Sequence, residues 1–287
     1  MQYMKPQTAN EAAVLLAENA GVARVLAGGT DLLVQMKAGM IEPEMVIDIK
    51  QLAGMNDITP EDGGFRIGAA VSGQQLGEHA GVVAMWPGVV EAFELIGSTQ
   101  VQGRCTMAGN LCNGGPAADS VPAMIAAGAV ARIEGPDGTR DCPVEDIPVG
   151  PGKISLTKGE FITSIMLPAR PARASDAYLR FIPRTEMDIA VASAGVNLEL
   201  AEDGSVSSAR VALGAVGPKI ILVPDAAAAI VGTKLDDGAL DAMAVACSAA
   251  CSPIDDKRGT VEFRIQVAGV LAKRAARIAA TRAGEKS

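Results

Sequence analysis

The chain has 287 residues, 49% hydrophobic and 20% charged, enough to bury a substantial core and a ligand site and too apolar for a disordered chain. Twenty-five Lys and Arg stand against 33 Asp and Glu, a net charge of −8, which argues against an extended nucleic-acid or anionic-membrane footprint. Aromatic residues at 3% and a single histidine, His79, supply neither a stacking platform for single strands nor a histidine-rich metal centre.

From the N-terminus, TANEAAVLLAENA at residues 8–20 sets Ala12, Leu15, Leu16 and Asn19 at helical spacing, with Thr8 three residues before Glu11 as a capping-box pair. Residues 24–26 read as a short strand, followed by a glycine turn, a helix starting near Asp31 and stopping before Gly39, and a strand at 45–49. This β-loop-α-β order places a ligand loop at a strand end. Residues 65–70 form a further strand, Ser72 caps the helix behind it, and 89–96 are helical. The segment 100–120 is turn-rich and polar, and it is the first place to look for a ligand. A helix at 121–129, strands at 129–134 and 140–143 joined by PDGT, and an apolar strand over 159–168 follow.

PARPARAS, residues 168–175, has the proline and charge content of a connector. Beyond it, two alternating runs separated by Glu202-Asp203-Gly204 predict an antiparallel pair, and helices are expected at 225–231, 240–250 and 261–281.

Cys105, Cys112, Cys142, Cys247 and Cys251 follow no disulfide framework and suit thiols in a reducing compartment, so a cytoplasmic protein is expected. The first 20 residues carry no apolar signal core, and no run reaches the roughly 18 apolar residues of a membrane span. The cysteine spacings group no four ligands for an iron-sulfur cluster, and Asp255 and Asp256 beside Lys257 and Arg258 read as a charged loop leading into a helix; no metal is expected.

Two glycine-bearing loops carry the chemical signal. In Ala27-Gly28-Gly29-Thr30-Asp31 the glycines permit close backbone approach, Thr30 offers a hydroxyl, and the helix behind offers unpaired amides, an arrangement that suits a pyrophosphate. The competing reading is a plain strand-to-helix turn, since neither GxGxxG nor the Lys-Ser/Thr ending of a phosphate loop is present. In the second loop, residues 106–120, Asn110 and Asp119 can bind ligand groups; against this, Asp119 or Ser120 can simply cap the next helix.

AGGTDLL, then TMAGNLCNGGPAADSVP, RFIPRTEMDIAVASAG and DDKRGTVEFR together resemble the FAD-binding medium subunit of the molybdenum hydroxylases, the family of bacterial carbon monoxide dehydrogenase and of the flavin portion of xanthine dehydrogenase. The resemblance extends over almost the whole chain. It implies an α+β fold, a two-part N-terminal FAD-binding module (residues 1–54 and 55–172) followed by a C-terminal antiparallel-sheet and helix domain (173–287). It also implies that Val25, Leu26, Ala27, Gly28, Gly29, Thr30 and Asp31 wrap the FAD pyrophosphate. Thr106, Gly109, Asn110 and Asp119 match the second FAD loop, Phe161 and Ile162 flank the adenine-ribose side, and Arg180, Ile96 and Ile189 match positions beside the flavin ring. Two positions depart from the family's pattern: Ala108 replaces a glycine, and Ile189 stands where an aromatic residue is frequent.

The function so implied is an FAD-dependent oxidoreductase subunit without a catalytic acid-base residue of its own. A molybdenum-pterin large subunit would oxidise the substrate, a small subunit with two [2Fe-2S] clusters would relay electrons, and this chain would pass them to an external acceptor. The resemblance leaves open whether such a heterotrimer is duplicated. A self-contained FAD oxidase and a non-enzymatic FAD-binding scaffold are the alternatives.

Overall fold

The computed structural model describes residues 1–285. The chain opens with β1 (Gln2–Met4), α1 (Ala9–Glu18), β2 (Ala23–Leu26), α2 (Leu32–Lys37) and β3 (Met45–Asp48), whose strands form a parallel sheet in the order β1-β3-β2. Helix α1 forms where expected: the Thr8 hydroxyl accepts the Glu11 amide at 3.1 Å, and Ala12, Ala13 and Leu16 are buried. The Glu11 carboxylate returns to the Gln7 amide at 2.7 Å rather than to Thr8, one residue short of a full capping box.

Next come β4 (Ile58–Glu61), β5 (Gly64–Gly68), α3 (Gly73–Glu78), α4 (Ala80–Met85), α5 (Pro87–Glu94), α6 (Thr99–Gln102), α7 (Met107–Cys112), α8 (Ser120–Ala127), β6 (Val130–Gly135), β7 (Gly138–Pro143), β8 (Pro148–Gly150), β9 (Lys153–Ile154) and β10 (Phe161–Leu167). Five of these strands make an antiparallel sheet ordered β4-β5-β10-β6-β7, and β8 and β9 pair separately. Every residue of α8 is buried, so this helix is the core around which the rest is arranged. Strand β4 and helices α6 and α7 were not expected; the two helices have four and six residues, too few to express a 3.6-residue period. His79 is consumed by structure: its Nδ1 accepts the Val82 amide at 3.2 Å at the start of α4, and its ring meets Phe65 edge-on.

The remainder comprises β11 (Ala174–Phe181), β12 (Ala192–Leu200), β13 (Val206–Gly214), β14 (Ile221–Leu222), α9 (Pro224–Ala228), α10 (Asp237–Ala250) and α11 (Val261–Glu285), with an antiparallel sheet in the order β11-β12-β13-β14. The connector expected at 168–175 ends early, because β11 already begins at Ala174. Nor is it a loose tether: the Arg170 guanidinium lies 3.5 Å from the centre of the Trp86 ring and bonds Asp176 at 2.8 Å and Asn197 at 3.0 Å. Helix α11 packs on β11 and β12, while α5 and α8 also pack on this sheet. The two faces accordingly feed two cores: Tyr178 and Ala212 join the N-terminal one, whereas Ala177, Val211 and Leu213 join that under α10 and α11. Among the described residues no helix is long and apolar enough to cross a membrane.

Candidate functional site

The first glycine loop leaves β2 at Leu26 and enters α2 through Asp31. Gly29 has φ +80°, a left-handed conformation that favours glycine. At Gly28 the constraint is contact: a Cβ there would lie 1.9 Å from the carbonyl oxygen of Arg104. The loop therefore rests directly on the backbone that leads into the second loop. The Gly29 and Asp31 carbonyls accept the amides of Leu33 and Gln35 at 3.0 and 2.9 Å. Among the described residues the amides of Gly28, Gly29, Thr30 and Asp31 have no acceptor within the chain, which is the donor set of an anion cradle. Val25 and Leu26 are strand residues paired with Ile47 and Asp48, and Leu26 is buried, while Ala27 is half-buried.

The second loop is ordered by its own side chains. Thr106 caps α7, its Oγ1 accepting the Gly109 amide at 3.0 Å, and Asn110 Oδ1 accepts the Ser120 hydroxyl at 2.7 Å and the Ser120 amide at 3.3 Å. Asn113 joins the two loops: its Oδ1 accepts from Gln35 Nε2 at 3.0 Å and its Nδ2 donates to Asp31 at 3.2 Å. Neither Gln35 nor Asn113 stands out in the sequence, where a separation of 78 positions hides the contact.

Asp119 occupies the N-cap position of α8 without a capping bond from its side chain, so the plain capping reading fails. Its carboxylate instead accepts the Tyr178 hydroxyl at 2.8 Å and Arg180 Nη1 at 2.5 Å. Tyr178 and Arg180 are two residues apart on β11 and thus share a face. Burial pushes the Asp119 carboxyl up to about 6, against the pull of the Arg180 charge and the hydrogen bonds. Arg180 Nε is itself buried without a partner, a condition that costs ~1–3 kcal/mol and that a bound acceptor oxygen would relieve.

Ile96 and Ile189 come from segments the fold brings together, since the Met187 amide donates to the Gly97 carbonyl at 3.3 Å. Ile189 is exposed, and its loop is held by Asp188, which accepts the Ile189 amide at 2.8 Å and Arg184 Nε at 3.2 Å. Phe161 and Ile162 are each 3% exposed in β10, so their side chains are core and a ligand would meet only their backbone. Burial pushes the thiols of Cys105 and Cys251 up to about 11 and those of Cys112 and Cys247 to about 12. Among the described residues no three His, Cys, Asp or Glu side chains are grouped to hold a metal ion.

Comparison with known proteins identifies the family. The FAD binding domain in molybdopterin dehydrogenase matches residues 1–170, and the CO dehydrogenase flavoprotein C-terminal domain matches residues 177–279. The chain belongs to the molybdopterin dehydrogenase FAD-binding family. It is 30% identical to the xanthine dehydrogenase FAD-binding subunit of Escherichia coli O157:H7 over 99% of this chain and 97% of that one. It is 31% identical to the carbon monoxide dehydrogenase medium chain of Afipia carboxidovorans, over 98% and 97%. The crystal structure of Cu,Mo-CO dehydrogenase in its cyanide-inactivated form contains a chain that superposes with a TM-score of 0.94 at 31% identity, covering 98% of both. The α+β fold implied by the sequence is thereby established, as is an FAD-binding oxidoreductase subunit of this family. The free amides of residues 28–31 fit an FAD pyrophosphate in charge and donor count.

Proposed function

We propose that this subunit holds FAD between the loops 25–31 and 106–119, receives electrons from the [2Fe-2S] clusters of a small partner subunit and delivers them to an external acceptor. Substrate oxidation then falls to a molybdenum-pterin large subunit. The observation that carries this reading is the contact of Gly28 with Arg104, which sets the first loop, with its four free amides, directly against the backbone that leads into the second. FAD, when bound, supplies the redox chemistry that protein side chains lack. The chain's own residues bind and orient it. Amides of Gly28, Gly29, Thr30 and Asp31 take the pyrophosphate, and the strand end at Val25, Leu26 and Ala27 presents them. Thr106, Gly109 and Asn110 form the second wall, with Asp119 and Arg180 at its far end. Ile96 and Ile189 flank the ring, and the backbone of Phe161 and Ile162 faces the adenine-ribose portion.

In this reading residues 1–54 and 55–172 are the two halves of the FAD module, and 173–287 cover the ring side. The medium-chain relatives support large and small partners; the assembly we propose is a heterotrimer, single or duplicated. Five cysteines free of disulfides suit a reducing, cytoplasmic setting.

The test is anaerobic purification of the native assembly, separation of its subunits and quantification of flavin, molybdenum and iron on each. FAD on this chain, with molybdenum and iron on two others, is the expected result. Substrate turnover by the isolated, FAD-loaded chain would overturn the division of labour in favour of a self-contained oxidase.

A further inference from the structure

The Asp119–Arg180 pair has a third member that the function above does not use. Tyr178 is 2% exposed, and a phenylalanine would fill the same volume without burying a hydroxyl. That hydroxyl donates to Asp119 Oδ1 at 2.8 Å, while Asp119 Oδ2 accepts Arg180 Nη1 at 2.5 Å. Ser193, on the neighbouring strand, is the residue registered opposite Arg180. The group thus draws on α8 and β11, and the two oxygens of one carboxylate are divided between a tyrosine and an arginine. The guanidinium is held on its Nη1 side, and its Nε stays buried and unpartnered.

We propose that Tyr178 is a positioning residue for the cofactor site: by holding one oxygen of Asp119 it fixes the other against Arg180, and so sets how much of the Arg180 charge reaches the bound cofactor. This rests on the reading that Arg180 lies beside the flavin. The paired carboxylate offsets the guanidinium charge. Weakening that offset leaves a more positive environment, which favours an electron-rich cofactor and raises its potential. Removing the hydroxyl takes a hydrogen bond from a carboxyl that burial already pushes up, which moves it toward its neutral form.

The test is a double-mutant cycle on the full chain loaded with FAD, using Tyr178→Phe, Asp119→Asn and both together, with the flavin midpoint potential and the FAD content as readouts. Asp119→Asn is expected to raise the potential. Tyr178→Phe is expected to raise it less, and the double variant to match Asp119→Asn, because Tyr178 acts only through that carboxylate. A tenfold change in relative affinity for the two redox states reads as about 30 mV. An unchanged potential in Tyr178→Phe with FAD bound overturns the inference alone, as does a shift that adds in full to that of Asp119→Asn. A wild-type chain that takes up no FAD overturns the site reading and this inference with it.

A second measurement does not depend on Tyr178→Phe folding. The chain has only two tyrosines, so fluorotyrosine incorporation with Tyr3→Phe leaves a single fluorine signal, from Tyr178. That signal is expected to move on FAD binding and with Asp119→Asn. A signal indifferent to both overturns the proposal.

Discussion

Gly28 lies so close to Arg104 that a Cβ at position 28 would sit 1.9 Å from the Arg104 carbonyl oxygen and 2.8 Å from its carbon. A backbone cannot yield as the end of a flexible side chain can, so the first loop rests on the Arg104 backbone only while residue 28 is glycine. Gly28→Ala is therefore expected to destabilise the chain by about 1–3 kcal/mol. It should also weaken FAD binding by about tenfold or more, the equivalent of one lost hydrogen bond to a charged group. Urea unfolding and fluorescence titration with FAD check both. Wild-type affinity in this variant would mean that the loops need not touch to bind.

Asp119 imposes a pH dependence of its own. Its carboxyl stands at about 6 in the folded chain against an ordinary 3.8, so folding favours the protonated form. The stability this contributes is full below about pH 4 and is lost as pH rises through about 6, a fall on the order of 3 kcal/mol. Urea unfolding of the FAD-free chain at intervals from pH 4 to 7 should show a steeper fall in the wild type than in Asp119→Asn. Parallel pH profiles for the two proteins would contradict the assignment.

Asn113 bridges Asp31 and Gln35 at 3.2 and 3.0 Å. Asn113→Ala removes both bonds from a partly exposed site, so stability should fall by only about 0.5–1.5 kcal/mol. FAD affinity should fall by a comparable free energy, about two- to tenfold, because the loops lose their tie. Calorimetric titration with FAD measures this directly. Unchanged affinity would show that the Gly28 contact alone holds the cradle.

The cysteines are expected to be inert in the native state. With Cys105 and Cys251 at about 11 and Cys112 and Cys247 at about 12, the thiolate fraction at pH 8 is on the order of one in a thousand or less. A brief maleimide pulse followed by mass spectrometry should label these four slowly when folded and rapidly in denaturant. Fast native labelling at Cys112, in the second loop, would show that this loop opens.

Local pattern explains why α1 and α11 were readable: each is long enough to repeat an apolar stripe, and Thr8 marks the start of the first. Strand β11 was not, because α11 and the α5–α8 layer bury its first five residues in succession and erase the alternation that identifies a half-buried strand. The glycine loops were recognisable because close backbone approach needs glycine itself. What those loops lean on was not, since Arg104 is 76 positions from Gly28 and nothing local marks a bare carbonyl as a neighbour.

By itself the sequence determined the acidic α+β chain, the two glycine loops and the family to which they belong. Only the tertiary structure decided that Asp119 faces Tyr178 and Arg180 instead of capping α8, and that Asn113 ties the loops together. The physical reason is that glycine's freedom and helical periodicity belong to a few consecutive residues. The partner of a buried carboxylate, by contrast, is chosen by which strand the sheet lays over it, here one some 60 residues further along the chain.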